Sequence, residues 1–362
     1  MTLSLPTGSA RLTLIAAAAW IAQPFTSGVL LGEALSNADD PYRTTVSVLA
    51  WTAWLFILLA IAIPRPVTLT VARLGTTGGV AATLWATVDI AADETDVASA
   101  IIAVGLVASI AAFATINLPG VGDRFVDGVS YGDEVRFLLR APGPVLLFLL
   151  PVSTTVVVVG VAAGPLLLAD EQWVAGAIVT VVGFAMSWLP LNAIHRLTNR
   201  FLVFVPNGLV VHDLTQMREP ALFVKREIAG LAPAPVDTTA RDITAAALGL
   251  ALELRFTKTT ELTFVSGPST SEVGSVRSIL VSPTRPAAVM RTALERGITI
   301  ACRPARSPYS GVRPAIPPPA TYSTPVSASM ANATIDCPGA MRRWGASQTT
   351  ASSTSRPASA RP

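Results

Sequence analysis

The first 195 residues are dominated by apolar blocks about twenty residues long, the length a helix needs to cross a bilayer, and this pattern constrains the chain more than any other. The blocks run from Leu12 to Leu31, then at about 46–63, 69–91, 97–116, 145–168 and 173–194. Each can span about 30 Å of hydrocarbon at about 1.5 Å per residue. Without water the backbone must satisfy its own hydrogen bonds, which makes the helix the natural form. The pattern ends at Arg196–Asp213, RLTNRFLVFVPNGLVVHD, after which apolar residues alternate with polar ones. The expected organisation is a six-helix transmembrane domain over 1–195, a small antiparallel β domain over 196–300, and a tail over 301–362.

Composition agrees: 51% of the 362 residues are hydrophobic and only 14% charged, against a usual charged share of about 25%. The formal net charge of +3 misleads, because residues 1–302 carry a net −3 and the last sixty a net +6. A basic excess confined to one low-complexity tail gives no reason to expect a nucleic-acid partner. That tail, rich in Pro, Ser, Ala, Thr and Arg, lacks apolar periodicity and is expected to be disordered. Cys302 and Cys337 match neither a zinc spacing nor a disulfide framework.

The first block has a competing reading as a signal peptide, with Ser36-Asn37-Ala38 as the cleavage site. Its apolar run is longer than a typical h-region and the preceding n-region carries Arg11 as its one charge, so a retained span is expected. With the N-terminus inside, Arg11, Arg65, Arg73, Arg124, Arg136, Arg140, Arg196 and Arg200 fall on the cytoplasmic side and Arg43 alone on the other. With six spans this positive-inside bias puts both ends in the cytoplasm, and a multi-pass plasma-membrane protein is expected. Trp20, Trp51, Trp54, Trp85, Trp173 and Trp188 fall in or near block ends, where indole rings reach headgroups. The third block is the least apolar; it holds Arg73 and Asp89, and intramembrane charge is a functional candidate by default. Their position near the block ends also allows both to reach water by snorkelling.

The loop from Leu118 to Gly143 is the one long connection between spans. Its Val135, Phe137, Leu138 and Leu139 beside Arg136 and Arg140 suit an amphipathic segment on the membrane surface. Downstream, FLVFV and LVVHD flank Asn207-Gly208, the pair suited to a type I′ hairpin turn. Leu222–Val224 and Glu227–Leu231 are further strand candidates. Leu250, Leu252, Leu254 and Phe256 show the period-2 pattern of a half-buried strand. Leu262 and Phe264 continue it after a turn at KTTE, and Ser278–Val281 closes the series. From Thr284 the period changes to that of a helix, with Pro286 in its first turn, Thr284 as cap, and Val289, Met290, Ala293 and Leu294 on one face. About seven strands and one helix make a small barrel or sandwich with the helix over its open end.

That order, together with FVPNGLVVHD and VSPTRPAAVMRTALERGI, resembles the bacterial PH-like domain. Together with the loop motif DGVSYGDEVRFLLR, it is similar to a group of actinobacterial multi-pass membrane proteins of unassigned activity that carry such a domain at the C-terminus. The resemblance covers roughly residues 118–300. It implies a protein-interaction or assembly module held at the membrane, self-association included. The lipid-binding basic cluster of eukaryotic PH domains has no counterpart in Lys225, Arg226, Arg255 and Lys258, which are sparse and mixed with acids.

Catalytic signatures are weak. Gly128-Val129-Ser130-Tyr131-Gly132 matches the G-x-S-x-G elbow, but that motif requires a strand-to-helix turn on a parallel sheet, and none is expected here. Asp123, Asp127, Asp133 and Glu134 lack the spacing of a cation loop. His212-Asp213 reads as a strand-end pair facing water. The expectation is therefore a protein without catalytic, cofactor or metal residues. Its candidate interaction residues are Tyr131, Asp133, Glu134, Arg136, Asn207, Gly208 and His212, its partners the lipid bilayer and a protein or second copy. The alternative is a small-solute transporter or channel regulated by the cytoplasmic domain, in which Arg73 and Asp89 would act.

Overall fold

A computed structural model describes residues 8–93, 97–267 and 270–300 of the chain. The tail, with Cys302 and Cys337, lies outside the described residues. Helices α1 (Gly8–Ile21), α2 (Ser27–Ala34), α3 (Asp40–Ala62), α4 (Pro66–Ala92), α5 (Ser99–Ile116), α6 (Pro119–Asp127), α7 (Leu150–Ala169) and α8 (Trp173–Thr198) make up the helical part. Five segments are long and apolar enough to cross a membrane: 8–34 (α1 with α2), α3, α5, 145–169 (α7 with its leading π-turn) and α8.

The helix α4 is long enough, at 27 residues, but falls short in apolarity. Its place explains why. It packs against α2, α3, α5, α7 and α8, and a face carrying Leu69, Thr70, Ala72, Thr76, Thr83, Ala86 and Ile90 is buried. A helix that touches this many others has less need of hydrocarbon on its packed face, so threonine and glycine can serve where neighbours approach closely, while Val67, Leu84, Trp85 and Val88 stay exposed.

Two expectations about the helices change. The first block is not one continuous helix: a 3₁₀ turn at Gln23–Phe25, carrying Pro24, separates α1 from α2. Proline removes a backbone donor and fixes φ, which breaks the ladder. Also, Trp20 is buried inside the bundle at 4% exposure rather than at its surface. Its indole Nε1 donates to the Trp54 carbonyl at 3.0 Å while Trp54 Nε1 donates to the Trp20 carbonyl at 3.0 Å, tying α1 to α3.

The sheet part has eight strands among the described residues: β1 (Val135–Leu138), β2 (Phe201–Val205), β3 (Gly208–His212), β4 (Ala221–Val224), β5 (Ile228–Pro233), β6 (Arg241–Asp242), β7 (Leu252–Val265) and β8 (Ser271–Val281), followed by helix α9 (Pro286–Glu295). One sheet is antiparallel in the order β1-β2-β3-β4. The other runs β5-β7-β8-β6, with β6 parallel to β8. Main-chain bonds join them at two places. Arg218 N–H and Val265 N–H link the β3–β4 connection to β7, and Arg140 N–H bonds the Ser282 carbonyl beyond β8. Phe223 of the first sheet stacks on Phe256 of the second, ring centroids 4.5 Å apart, in a core that Leu202, Phe204, Leu231 and Leu254 share.

The 118–143 segment is not a surface-lying connector. It holds α6 and β1, and β1 pairs antiparallel with β2, Val135 opposite Phe204 and Leu138 opposite Phe201. The α7–α8 hairpin is therefore an insertion between two neighbouring strands of one sheet, and the sheet domain begins well before residue 196. Its register also explains why FLVFV is apolar throughout: Leu202 and Phe204 face the inter-sheet core, while Phe201 and Val203 pack with Val126 and Leu138 on the other face. A strand covered on both sides loses its alternation.

The hairpin turn shifts by one residue. β2 ends at Val205 and β3 starts at Gly208, so Pro206 and Asn207 form the loop. Neither Asn207 nor Gly208 takes the positive φ of a type I′ turn. Gly208 is needed for space instead, since a β-carbon there would collide with the Phe223 carbonyl of β4. Nor does KTTE turn the chain: β7 runs through it with a register shift between Arg255 and Thr260, and β8 begins at Ser271. Lys258 and its neighbours are exposed there, which leaves no buried face for an apolar alternation to mark. Helix α9 forms where expected, with Val289, Met290 and Ala293 buried but Leu294, expected on the same face, 48% exposed, and it ends at Gly297 with φ 73°, the left-handed conformation a glycine cap provides.

Candidate functional site at the junction of bundle and sheet

α6 is the wedge between helices and sheet. Pro119 occupies its first turn, where the missing N–H costs nothing. Val121 and Phe125, one turn apart, enter the apolar cluster of the bundle with Trp20, Leu69 and Ile116. Val126 points the other way, into the cluster under β2.

Between those faces sits Asp123, 5% exposed. Its Oδ1 accepts the Leu138 N–H of β1 at 2.9 Å and the Thr284 hydroxyl at 3.2 Å, and Arg285 Nη1 lies 3.4 Å from Oδ2. Thr284 is thus spent on Asp123 rather than on capping α9, whose N-cap is Arg285. Burial pushes the Asp123 carboxyl up to about 6, and these donors and Arg285 offset that only in part.

The α8–β2 link is a second polar knot. The Asn199 amide donates to His195 Nε2 at 3.0 Å, so that nitrogen accepts, and His195 Nδ1 lies 3.3 Å from the Thr70 hydroxyl of α4. Thr198 adds its hydroxyl, 3.1 Å from that of Thr70. On the sheet side, His212 Nδ1 donates to the Asn199 carbonyl at 2.9 Å. Both histidines of the chain thus converge on Asn199. One residue further, Arg200 makes a two-pronged pair with Asp213, Nε to Oδ1 at 2.9 Å and Nη2 to Oδ2 at 2.7 Å, while Nη1 donates to the Arg140 carbonyl at 2.9 Å. Asp213 is fully buried. The His212-Asp213 pair therefore does not face water together: one ring goes to Asn199 and one carboxylate to Arg200.

Several of the sequence candidates meet on one face of the first sheet. The His212 ring stacks on Phe201 at 4.4 Å, the Arg136 guanidinium lies 5.4 Å from the centre of the Phe201 ring, and Glu134 pairs with Arg136 at 3.0 Å. Tyr131, whose N–H reaches toward Glu134, is 81% exposed. The Asp133 carbonyl accepts from Arg296. Ser130 donates to Asp127 at 2.9 Å, and Asp127 also takes the Arg136 N–H at 2.9 Å. The carboxylates of Asp123, Asp127 and Glu134 thus go to separate partners rather than to one site. Asn207 and Gly208 lie apart, at the β2–β3 turn.

Of the two charges expected near the membrane, Asp89 lies one turn from the end of α4 remote from the sheet. Arg73 is near the sheet side, its guanidinium packed against Gly122 of α6. Its buried Nε has no hydrogen-bond partner among the described residues. Asn199, Thr70 and Phe201 carry no sequence signal of a site role, and Asp123 is weighed there only as a cation ligand. The signal for α6 was present, in Pro119 followed by apolar 121, 125 and 126, but its glycines disguised it as loop.

Comparison with known proteins finds no matching family model, no similar curated protein and no similar solved structure.

Proposed function

We propose that this is a non-enzymatic plasma-membrane protein that holds a PH-like module at the cytoplasmic face and presents it to a protein partner, a second copy included. The observation that carries the reading is the insertion of the α7–α8 hairpin between β1 and β2. A sheet interrupted by membrane helices is fastened to the bilayer at both its first and second strands. Four meandering strands, a second sheet and a closing helix support the PH-like assignment, with β1 supplied from between the helices. Six crossings follow if the central α4 is counted with the five more apolar segments. The arginine bias then places the sheets in the cytoplasm. Tyr131, exposed beside the Glu134–Arg136 pair, puts an accessible aromatic next to an arginine, the residue types enriched where proteins dock.

Replacing Tyr131 with a photo-crosslinking amino acid in native membranes tests the partner. A discrete adduct, absent when the probe sits at exposed Val236, is the expected result; equal labelling at both would remove the docking role. A cysteine at Val236 tests the side: modification by an impermeant reagent in intact cells ends the topology. The second reading, solute transport, draws on the break in the first crossing. It predicts flux in proteoliposomes that Asp89→Asn or Arg73→Ala abolishes.

A further inference from the structure

The helical part contains an open-sided cavity of about 540 Å³, bordered by α1, α2, α3, α4 and α7. It has no place in the interaction reading above, and it belongs to a different region of the molecule. Its volume lies within the range of about 300–1,000 Å³ typical of ligand pockets. We propose that it is a binding site for one acyl chain of a bilayer glycerophospholipid, entering sideways from the membrane.

Three observations lead there. The first is the lining. No Asp, Glu, Lys, Arg or His borders the cavity among the described residues. Its hydroxyls and amide are mostly spent within the protein. The Ser109 hydroxyl lies 2.8 Å from that of Ser27 and 2.7 Å from that of Thr83, and donates to Gln23 Oε1 at 3.0 Å. A charged or sugar-like solute would find nothing to replace its hydration. The second is the broken helix. Non-helical backbone at membrane depth survives only when covered by protein or lining a cavity. The Gln23–Phe25 turn does both: Thr26 Oγ1 donates to the Ala22 carbonyl, and the Ser109 network holds Gln23, while Gln23, Pro24 and Ser27 border the space. The third is access. Trp51 and Phe56 line the cavity yet are 56% and 62% exposed, so it opens through the bundle side toward lipid.

The occupant follows from the surroundings. Left empty, an apolar pocket this large would forfeit packing energy of the order of a domain's whole net stability. Water does not fill apolar cavities. Hydrocarbon chains border the opening. Ser47 is the one lining hydroxyl with no hydrogen bond among the described residues. It lies about 10 Å along α3 from Asp40, by the helical rise, toward the end remote from the sheets. A lipid with its headgroup at that surface can insert a tail and bring an ester carbonyl to this donor.

Two glycines make a filling test feasible. A β-carbon on Gly32 would meet nothing within 4 Å, and one on Gly78 would make ordinary contact with Val158 at 3.8 Å. Leucine at either also raises helix propensity. The full chain is reconstituted in phosphatidylethanolamine–phosphatidylglycerol vesicles doped with a phosphatidylglycerol that carries a mid-chain diazirine, then illuminated and mapped by mass spectrometry. Labelling of the Ser47, Gly78 and Val158 segments should exceed that at Val107, a lipid-exposed residue of α5. In the Gly32→Leu/Gly78→Leu variant it should fall to the Val107 level while Val107 itself is unchanged. Lining labelled no more than Val107, or labelling that persists in the filled variant, overturns the site. Should that variant fail to insert, Ser47→Ala decides: reduced labelling of the lining supports the site, and unchanged labelling overturns it.

Discussion

Removing the Asp213 carboxylate should loosen the first sheet far more than removing any surface acid. Arg200 is 1% exposed and Asp213 is fully buried, and Asp213 also accepts the Thr215 N–H at 3.1 Å and the Thr215 hydroxyl at 2.6 Å. Asp213→Ala leaves a guanidinium in the interior with one remaining acceptor, the Arg140 carbonyl. Breaking a buried pair in this way costs about 3–5 kcal/mol, mostly from the stranded charge. Replacing both partners, as Arg200→Met/Asp213→Leu, removes that charge and should recover most of the loss. The tryptophans of the described residues all lie in the helical part, so indole fluorescence would not follow the sheet. Amide hydrogen exchange of β2 and β3 peptides in nanodiscs does. A loss of about 4 kcal/mol speeds exchange through opening by about a thousandfold. If Asp213→Ala changes protection by less than about tenfold relative to exposed Asp237→Ala, the pair does not hold the sheet and the reasoning fails.

Asp123 should make the junction pH-dependent. Its carboxyl is raised from 3.8 to about 6 by burial, so the protonated form is the better fit to the fold. The associated stability is therefore fully present below about pH 4 and is lost as pH rises through about 6, by about 3 kcal/mol in all. Asp123→Asn keeps an acceptor for Leu138 N–H and should flatten this dependence, measured as β1 exchange protection between pH 4 and 8; an unchanged slope would place the titration elsewhere. Gly208→Val should destabilise the sheet by about 2 kcal/mol through its clash with β4, whereas Asn207→Ala should cost less than about 0.5 kcal/mol. The reverse order would restore the type I′ turn. Gly183→Leu should separate α7 from α8, since a β-carbon at Gly183 meets the Gly160 carbonyl; loss of a disulfide between cysteines placed at Val156 and Ser187, a pair now joined by a 3.4 Å hydrogen bond, reports it.

The sequence alone determined what its periodicities encode. Runs of apolar residues set the length and place of the helices because each helix closes its own hydrogen bonds. Val289, Met290 and Ala293 likewise predicted the buried face of α9 from spacing alone. The least apolar block, carrying Arg73 and Asp89, is the helix the structure puts at the bundle's centre. What only the tertiary structure decided is everything that depends on a distant neighbour. Val135–Leu138 has no strand-length signature of its own; it is a strand because β2 lies beside it across the α7–α8 insertion. Thr284 could have capped α9, but Asp123, far away in sequence, claims its hydroxyl. Asn207-Gly208 has the composition of one turn and the geometry of another, because β4 demands a missing side chain at Gly208. Local patterns are legible because they act within a few residues; pairings across folded distance are not, because no single stretch contains both partners.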